Sequence, residues 1–175
     1  MDETVADQSA DVYSEPAEPA RPRILVTGSR GLDVRHHSHP SADLRHRCDL
    51  AQRTFIAALE DAVMELAFTG VSVRPIVIVH GGAKYGADNW AQRWVFEAWD
   101  SGKISRGLLH SERHVADWDR YGKAAGMVRN GVMIDSMSPD EPHLVLACWD
   151  GRSPGTKNTI DRALVKGLRV QRCHS

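Results

Sequence analysis

The chain reads as an α/β protein of Rossmann-like layering, a mostly parallel sheet with helices on both faces forming a three-layer sandwich. Three observations predict it. Aliphatic runs of five or so residues stop at glycine in three places, stretches of helical periodicity separate them, and no internal repeat interrupts the alternation. A strand followed by a helix and another strand has a connection long enough for a crossover, so neighbouring strands pair in parallel and the sheet needs cover on both sides.

Residues 1–22 are rich in Ala, Glu, Asp and Pro and lack apolar periodicity, which predicts a flexible acidic tail ahead of a single domain over 23–175. From Arg23 the segment RILVTGS reads as a buried strand stopped by Gly28. PIVIVHGG, from Pro75 to Gly82, repeats the design, and HLVLACWDG, from His143 to Gly151, repeats it again. GLLHSERHVA and the terminal LRVQR predict two weaker strands. Between them, Ala51, Phe55, Ala58, Leu59, Ala62, Val63 and Leu66 recur at three- and four-residue steps, as do Ala87, Trp90, Ala91, Trp94, Val95 and Ala98. Ala124, Met127, Val128, Gly131, Val132 and Ile134 predict a third helix, and Ile160, Ala163, Leu164 and Leu168 a fourth.

A 42% hydrophobic and 26% charged composition over 175 residues excludes a disordered or collagen-like chain. No apolar run approaches bilayer length and the first residues are acidic, so the expected location is cytoplasmic, with no membrane contact. Cys48, Cys148 and Cys173 are far apart and form no C-x-x-C, which predicts reduced thiols rather than a disulfide framework or zinc ribbon. Net charge is −1, but residues 1–20 hold six acids and no base, so the remainder carries +5. That balance suits an anionic ligand and falls short of the basic stripe of a duplex-DNA binder.

Ligands of open parallel sheets bind at the carboxyl ends of the strands, where helix amino termini offer free N–H groups. Three glycine turns fall there: Gly28-Ser29-Arg30-Gly31, Gly81-Gly82-Ala83-Lys84-Tyr85-Gly86-Ala87-Asp88, and Gly151-Arg152-Ser153-Pro154-Gly155-Thr156. Each has the composition that cradles a phosphate, and each taken alone is also ordinary turn chemistry. None ends in Gly-Lys-Ser/Thr or reads G-x-G-x-x-G, so neither a P-loop nor plain NAD binding is indicated, and no cofactor is expected. A fourth segment, from His114 to Asn130, crowds polar and aromatic residues at a strand-to-helix transition. There Asp117 reads as a helix cap or a ligand group, Trp118 as a core anchor or a ligand group, and Arg129 as an ion-pair partner or a phosphate fork.

These four motifs, in the order VTGSR, HGGAKYGAD, ADWDRYGKAAGMVRN and GRSPGTKNTID, resemble the YspA-like subgroup of the SLOG superfamily over residues 23–172. The resemblance implies a Rossmann-like sheet whose loops hold nucleotides or nucleotide-derived ligands. Its relatives include ligand sensors, phosphoribohydrolases that cleave the N-glycosidic bond of nucleoside monophosphates, and the single-stranded-DNA-binding protein DprA; many are dimers. In the phosphoribohydrolases a PGGxGTxxE motif supplies the phosphate turn and a catalytic glutamate. Gly155 and Thr156 match its G-T, while Thr159 stands at the glutamate place. Met127 and Arg129 loosely match a second segment, M-x-x-R-K, with Asn130 in the place of lysine and the spacing one residue shorter.

The first expectation is therefore a sensor that binds a nucleotide or nucleotide derivative. Gly28, Ser29, Arg30, Gly81, Gly82, Lys84, Gly155 and Thr156 would line its phosphate and ribose, Arg129 would supply charge, Asp88 and Asn130 would select the sugar or base, and Asp117 and Trp118 would complete the site. The second is a phosphoribohydrolase-like N-glycosidase in which Asp88, the best placed of Asp88, Asp117 and Asp161, acts with Arg129 in place of the missing glutamate. The third is a single-stranded nucleic-acid module. His36, His37, His39, His46 and Cys48 follow the first glycine turn at irregular spacing, reading as a polar loop or a lid rather than a zinc site. Trp90, Trp94 and Trp99 read as core or helix-contact residues, and His80 as a strand-end residue.

Overall fold

The computed structural model describes residues 21–68 and 74–173; the acidic tail, apart from its last two residues, lies outside them. Five strands, β1 (Arg23–Gly28), β2 (Ile76–His80), β3 (Leu109–Arg113), β4 (Leu144–Cys148) and β5 (Arg169–Cys173), pair in parallel throughout in the order β3-β2-β1-β4-β5. The chain builds outward from β1 to β3, then crosses back to start β4 on the other side of β1. The β1–β4 boundary is thus a topological switch point, the place where open α/β sheets generally bind their ligands.

Side chains alternate across each strand, and the sequence fills both sides with aliphatics. Ile24, Val26, Ile76, Ile78, Leu144 and Leu146 meet helices α1 (Ala42–Ala67) and α2 (Ala87–Asp100) through Phe55, Leu59, Trp90 and Trp94. Leu25, Val77, Val79 and Val145 meet Met133 and Ile134 of α4 (Ala125–Asp135) and Ala163 of α5 (Pro154–Val165). A one-turn helix, α3 (Trp118–Tyr121), precedes α4. The architecture is the expected α/β sandwich, and no described helix is long and apolar enough to cross a membrane.

Three local expectations are corrected. Helix α1 begins at Ala42, capped by the Ser41 hydroxyl, which accepts the Leu44 N–H at 3.2 Å; His46 and Cys48 therefore lie on a helix. In α4 the inward positions are Ala125, Asn130, Gly131, Met133 and Ile134, whereas Met127, Val128 and Val132 are exposed. The apolar pattern misled because Asn130, a polar residue, is buried at the centre of that face. In α5, Leu164 is exposed while Ile160 and Ala163 are buried.

Gly28 lets α2 lie directly on β1, since a Cβ there would stand 2.6 Å from the Ala87 Cβ and 3.1 Å from the Cys148 carbonyl oxygen. Gly28→Ala is expected to cost about 1–3 kcal/mol, because both obstacles belong to packed elements. A denaturant midpoint unchanged from the parent would refute that packing.

Candidate functional site

The β1 and β4 turns join across the switch point. The Ser29 N–H donates to the Cys148 carbonyl at 2.9 Å, its hydroxyl donates to Asp150 Oδ1 at 2.9 Å, and the Asp150 N–H donates to the Ser29 hydroxyl at 3.2 Å. Ser29 is buried, while Arg30, which opens the following 3-10 turn, is exposed. Asp150 Oδ1 also accepts the N–H groups of Arg152 (2.9 Å) and Ser153 (2.8 Å). Burial alone would raise the Asp150 pKa, but these two N–H groups and the Ser29 hydroxyl hold it below the ordinary carboxylate range.

The β2 turn is built on a buried histidine. His80 Nδ1 accepts the Gly82 N–H at 3.2 Å, so the ring carries its proton on Nε2, 3.0 Å from the Ser111 hydroxyl. Gly82 has φ 66°, a conformation that suits glycine. Asp88, in the first turn of α2, accepts the Ala83 N–H at 3.0 Å and a second bond from the Gly81 N–H. Burial raises its pKa against those donors and the nearby Arg129 guanidinium. The Gly86 N–H goes to Asp33 Oδ2 at 3.0 Å, and Asp33 also holds the Arg35 guanidinium. N–H groups of the second and third turns, expected to face phosphate, are thus given to the chain's own carboxylates. Lys84 is exposed, its ammonium 5.4 Å from the centre of the Tyr85 ring.

Arg129 lies flat against Gly81. A Cβ on Gly81 would stand 1.4 Å from Arg129 Nη1, so this arrangement requires glycine. Arg129 Nε donates to Asn130 Oδ1 at 2.8 Å, and Nη1 lies 3.4 Å from the His114 carbonyl and 4.0 Å from Asp88 Oδ2. Nη2 has no hydrogen bond among the described residues. Burial lowers the Arg129 pKa, opposed by Asp88. Asn130 in turn donates to the Thr159 hydroxyl at 2.9 Å, and Thr159 donates to the Gly155 carbonyl at 3.1 Å. Asn130 therefore ties the arginine to the first turn of α5, where Thr156 is buried, its hydroxyl donating to Ser153 Oγ at 3.2 Å. No side chain caps the α5 amino terminus.

The structure thus gathers Ser29, Gly81, Gly82, Asp88, Arg129, Asn130, Gly155 and Thr156 at the carboxyl ends of β1, β2 and β4. Asp117 is spent as the α3 cap, accepting the Arg120 N–H at 2.9 Å. Trp118 is not a core anchor: it is 61% exposed, and its ring edge comes within 3.8 Å of the position a Cβ on Gly126 would take. Asp161 pairs along its own helix with Lys157 at 2.6 Å. Among the described residues no group of three or more His, Cys, Asp or Glu is arranged to hold a metal ion. The loop after β1, read as a polar loop or a lid, is tied down: Arg35 Nη2 donates to Asn89 Oδ1 at 2.7 Å, and His37 Nε2 lies 2.8 Å from the Gly31 carbonyl.

Asp33 and Asp150 escaped the sequence reading. Asp150 had a legible signal, a carboxylate on the second residue after an aliphatic strand and beside a glycine. Asp33 had none, since the Gly86 N–H that ties it to the second turn lies 53 residues away. A separate concavity of about 270 Å³ lies at the opposite end of the sheet, lined by Glu65, Pro139, Glu141, His143 and Arg169.

Fold and site together define a parallel, Rossmann-like α/β domain whose polar loops converge on the switch point. No family model and no solved structure matches the chain. Gene 61 protein of Mycobacterium phage D29 is 40% identical to it over 96 residues, which cover 54% of this chain and 69% of the phage protein. The chain belongs to the family of that protein.

Proposed function

We propose that the domain binds a nucleotide or nucleotide-derived ligand at the switch point, as a sensor of the SLOG type. The observation that carries the reading is Arg129, a guanidinium with 17% of its side chain exposed, seated on Gly81 with Nη2 unused among the described residues and the Asp88 carboxylate at 4.0 Å, beyond hydrogen-bond distance. A half-buried fork so weakly paired favours an incoming phosphate, for which two parallel N–H bonds give strength and orientation. The uncapped start of α5, reached through Asn130 and Thr159, adds N–H groups and partial positive charge on the same side. Trp118 at the rim offers an exposed ring to a base.

The hydrolase alternative loses support at its carboxylate. Asp88 is buried under the N–H groups of Gly81 and Ala83, and Thr159, at the place of the relatives' glutamate, is fully buried in hydrogen bonds to Asn130 and Gly155. Incubating the protein with a pool of nucleotides and signalling derivatives, followed by mass spectrometry of retained and free fractions, tests the proposal. One phosphorylated species retained intact is the expected result. Accumulating free base would replace the sensor with an N-glycosidase, and retention of nothing would end the nucleotide reading.

A further inference from the structure

At the switch point one carboxylate oxygen, Asp150 Oδ2, accepts no hydrogen bond from another of the described residues. Asp150 follows β4 after one residue, and its Oδ1 collects the Ser29 hydroxyl and the N–H groups of Arg152 and Ser153 at 2.8–2.9 Å. Three donors on one oxygen fix the carboxylate plane. Oδ2 accepts no hydrogen bond from another residue among the described residues, and Asp150 is exposed. It lies 3.7 Å from the place a Cβ on Gly31 would occupy, so glycine at 31 keeps that side of the oxygen uncovered.

An ionised oxygen fixed in this way repels phosphate and attracts neutral donors. The other acids considered for the site are already committed: Asp33 to Arg35 and Gly86, Asp88 to Gly81 and Ala83, Asp117 to its own helix, Asp161 to Lys157. In a phosphorylated ribonucleotide, the neutral donors nearest the phosphate are the vicinal hydroxyls of ribose. We propose that Asp150 is the sugar-recognising residue of the site, with Oδ2 accepting a ribose hydroxyl of a ligand whose phosphate meets Arg129. The inference rests on the nucleotide reading above and gives it a sugar preference.

Titration calorimetry with ribonucleoside 5′-monophosphates and their 2′,3′-dideoxy counterparts tests it. The parent protein is expected to bind the ribo form at least tenfold more tightly. Asp150→Asn should bring the ratio of ribo to dideoxy affinity down to about one. Gly31→Ala, whose methyl group fits at ordinary contact distance, should reduce the same preference with the 150–153 turn intact, and it decides the matter should Asp150→Asn open that turn. Equal binding of both sugars by the parent protein, or a preference that survives both substitutions, overturns the assignment while leaving the nucleotide reading standing. Binding of neither form removes that reading and the Asp150 assignment with it.

Discussion

Replacing Arg129 by alanine is expected to weaken binding of nucleoside 5′-monophosphates about 10- to 100-fold while changing nucleoside affinity little. The magnitude follows from one charge-assisted contact, about 1.5–3 kcal/mol, at roughly tenfold per 1.4 kcal/mol. The guanidinium rests on Gly81, and a Cβ there would occupy the position of Nη1, at 1.4 Å. Gly81→Ala should therefore reproduce most of the Arg129→Ala loss without removing any charge, because the guanidinium must swing off its seat. Arg129→Lys separates charge from geometry: it keeps a cation near Asp88 but lacks the planar fork, so affinity should stay well below the parent's. Equal losses for nucleotide and nucleoside in Arg129→Ala would mean that the arginine supports the fold rather than meeting phosphate.

The second large effect is a loss of stability in mild acid caused by one histidine. His80 is fully buried, and burial, with Arg113, Arg129 and His114 nearby, pushes its pKa from 6.5 down to about 4. The folded protein therefore holds the ring neutral where the unfolded chain would protonate it. Between pH 6.5 and about 4 the unfolded state binds the extra proton, so stability falls as pH drops through that window. From pH 7 to pH 4.5 the loss should be about 2–3 kcal/mol, at 1.36 kcal/mol per pKa unit. His80→Asn offers an acceptor for the Gly82 N–H without a titrating ring, and urea unfolding of this variant should show a shallower decline. Parallel declines in variant and parent would assign the acid sensitivity elsewhere. Function should follow the same window, because protonated Nδ1 can no longer accept the Gly82 N–H and the turn beneath Arg129 loses its support.

What the sequence made legible was whatever depends on local periodicity. Val77 and Val79 against Ile76 and Ile78, or Trp90 and Trp94 at four-residue spacing, report the two faces of a covered sheet before any contact is known. Glycine turns at strand ends nominated the candidate site by the same logic. What stayed hidden depends on partners far apart in the chain. Asn130 is polar on a buried face because Thr159, 29 residues on, completes its bonding; Asp33 is buried because Gly86 and Arg35 bond to it. Composition also assigned phosphate to N–H groups that Asp88, Asp33 and Asp150 occupy, since an aspartate near a glycine turn does not reveal which way it folds back. For Trp118 the 61% exposure removes the core-anchor alternative, since a large apolar residue is an anchor only where elements converge.

Amide chemical-shift mapping during titration with a ribonucleoside 5′-monophosphate tests the location of the site most directly. The account predicts that the amides of Gly81, Gly82, Ser153, Gly155 and Thr156 move together and saturably, while Glu141, Gly167 and Arg169, beside the concavity at the other end of the sheet, stay in place. Shifts confined to Glu141, Gly167 and Arg169 would contradict it.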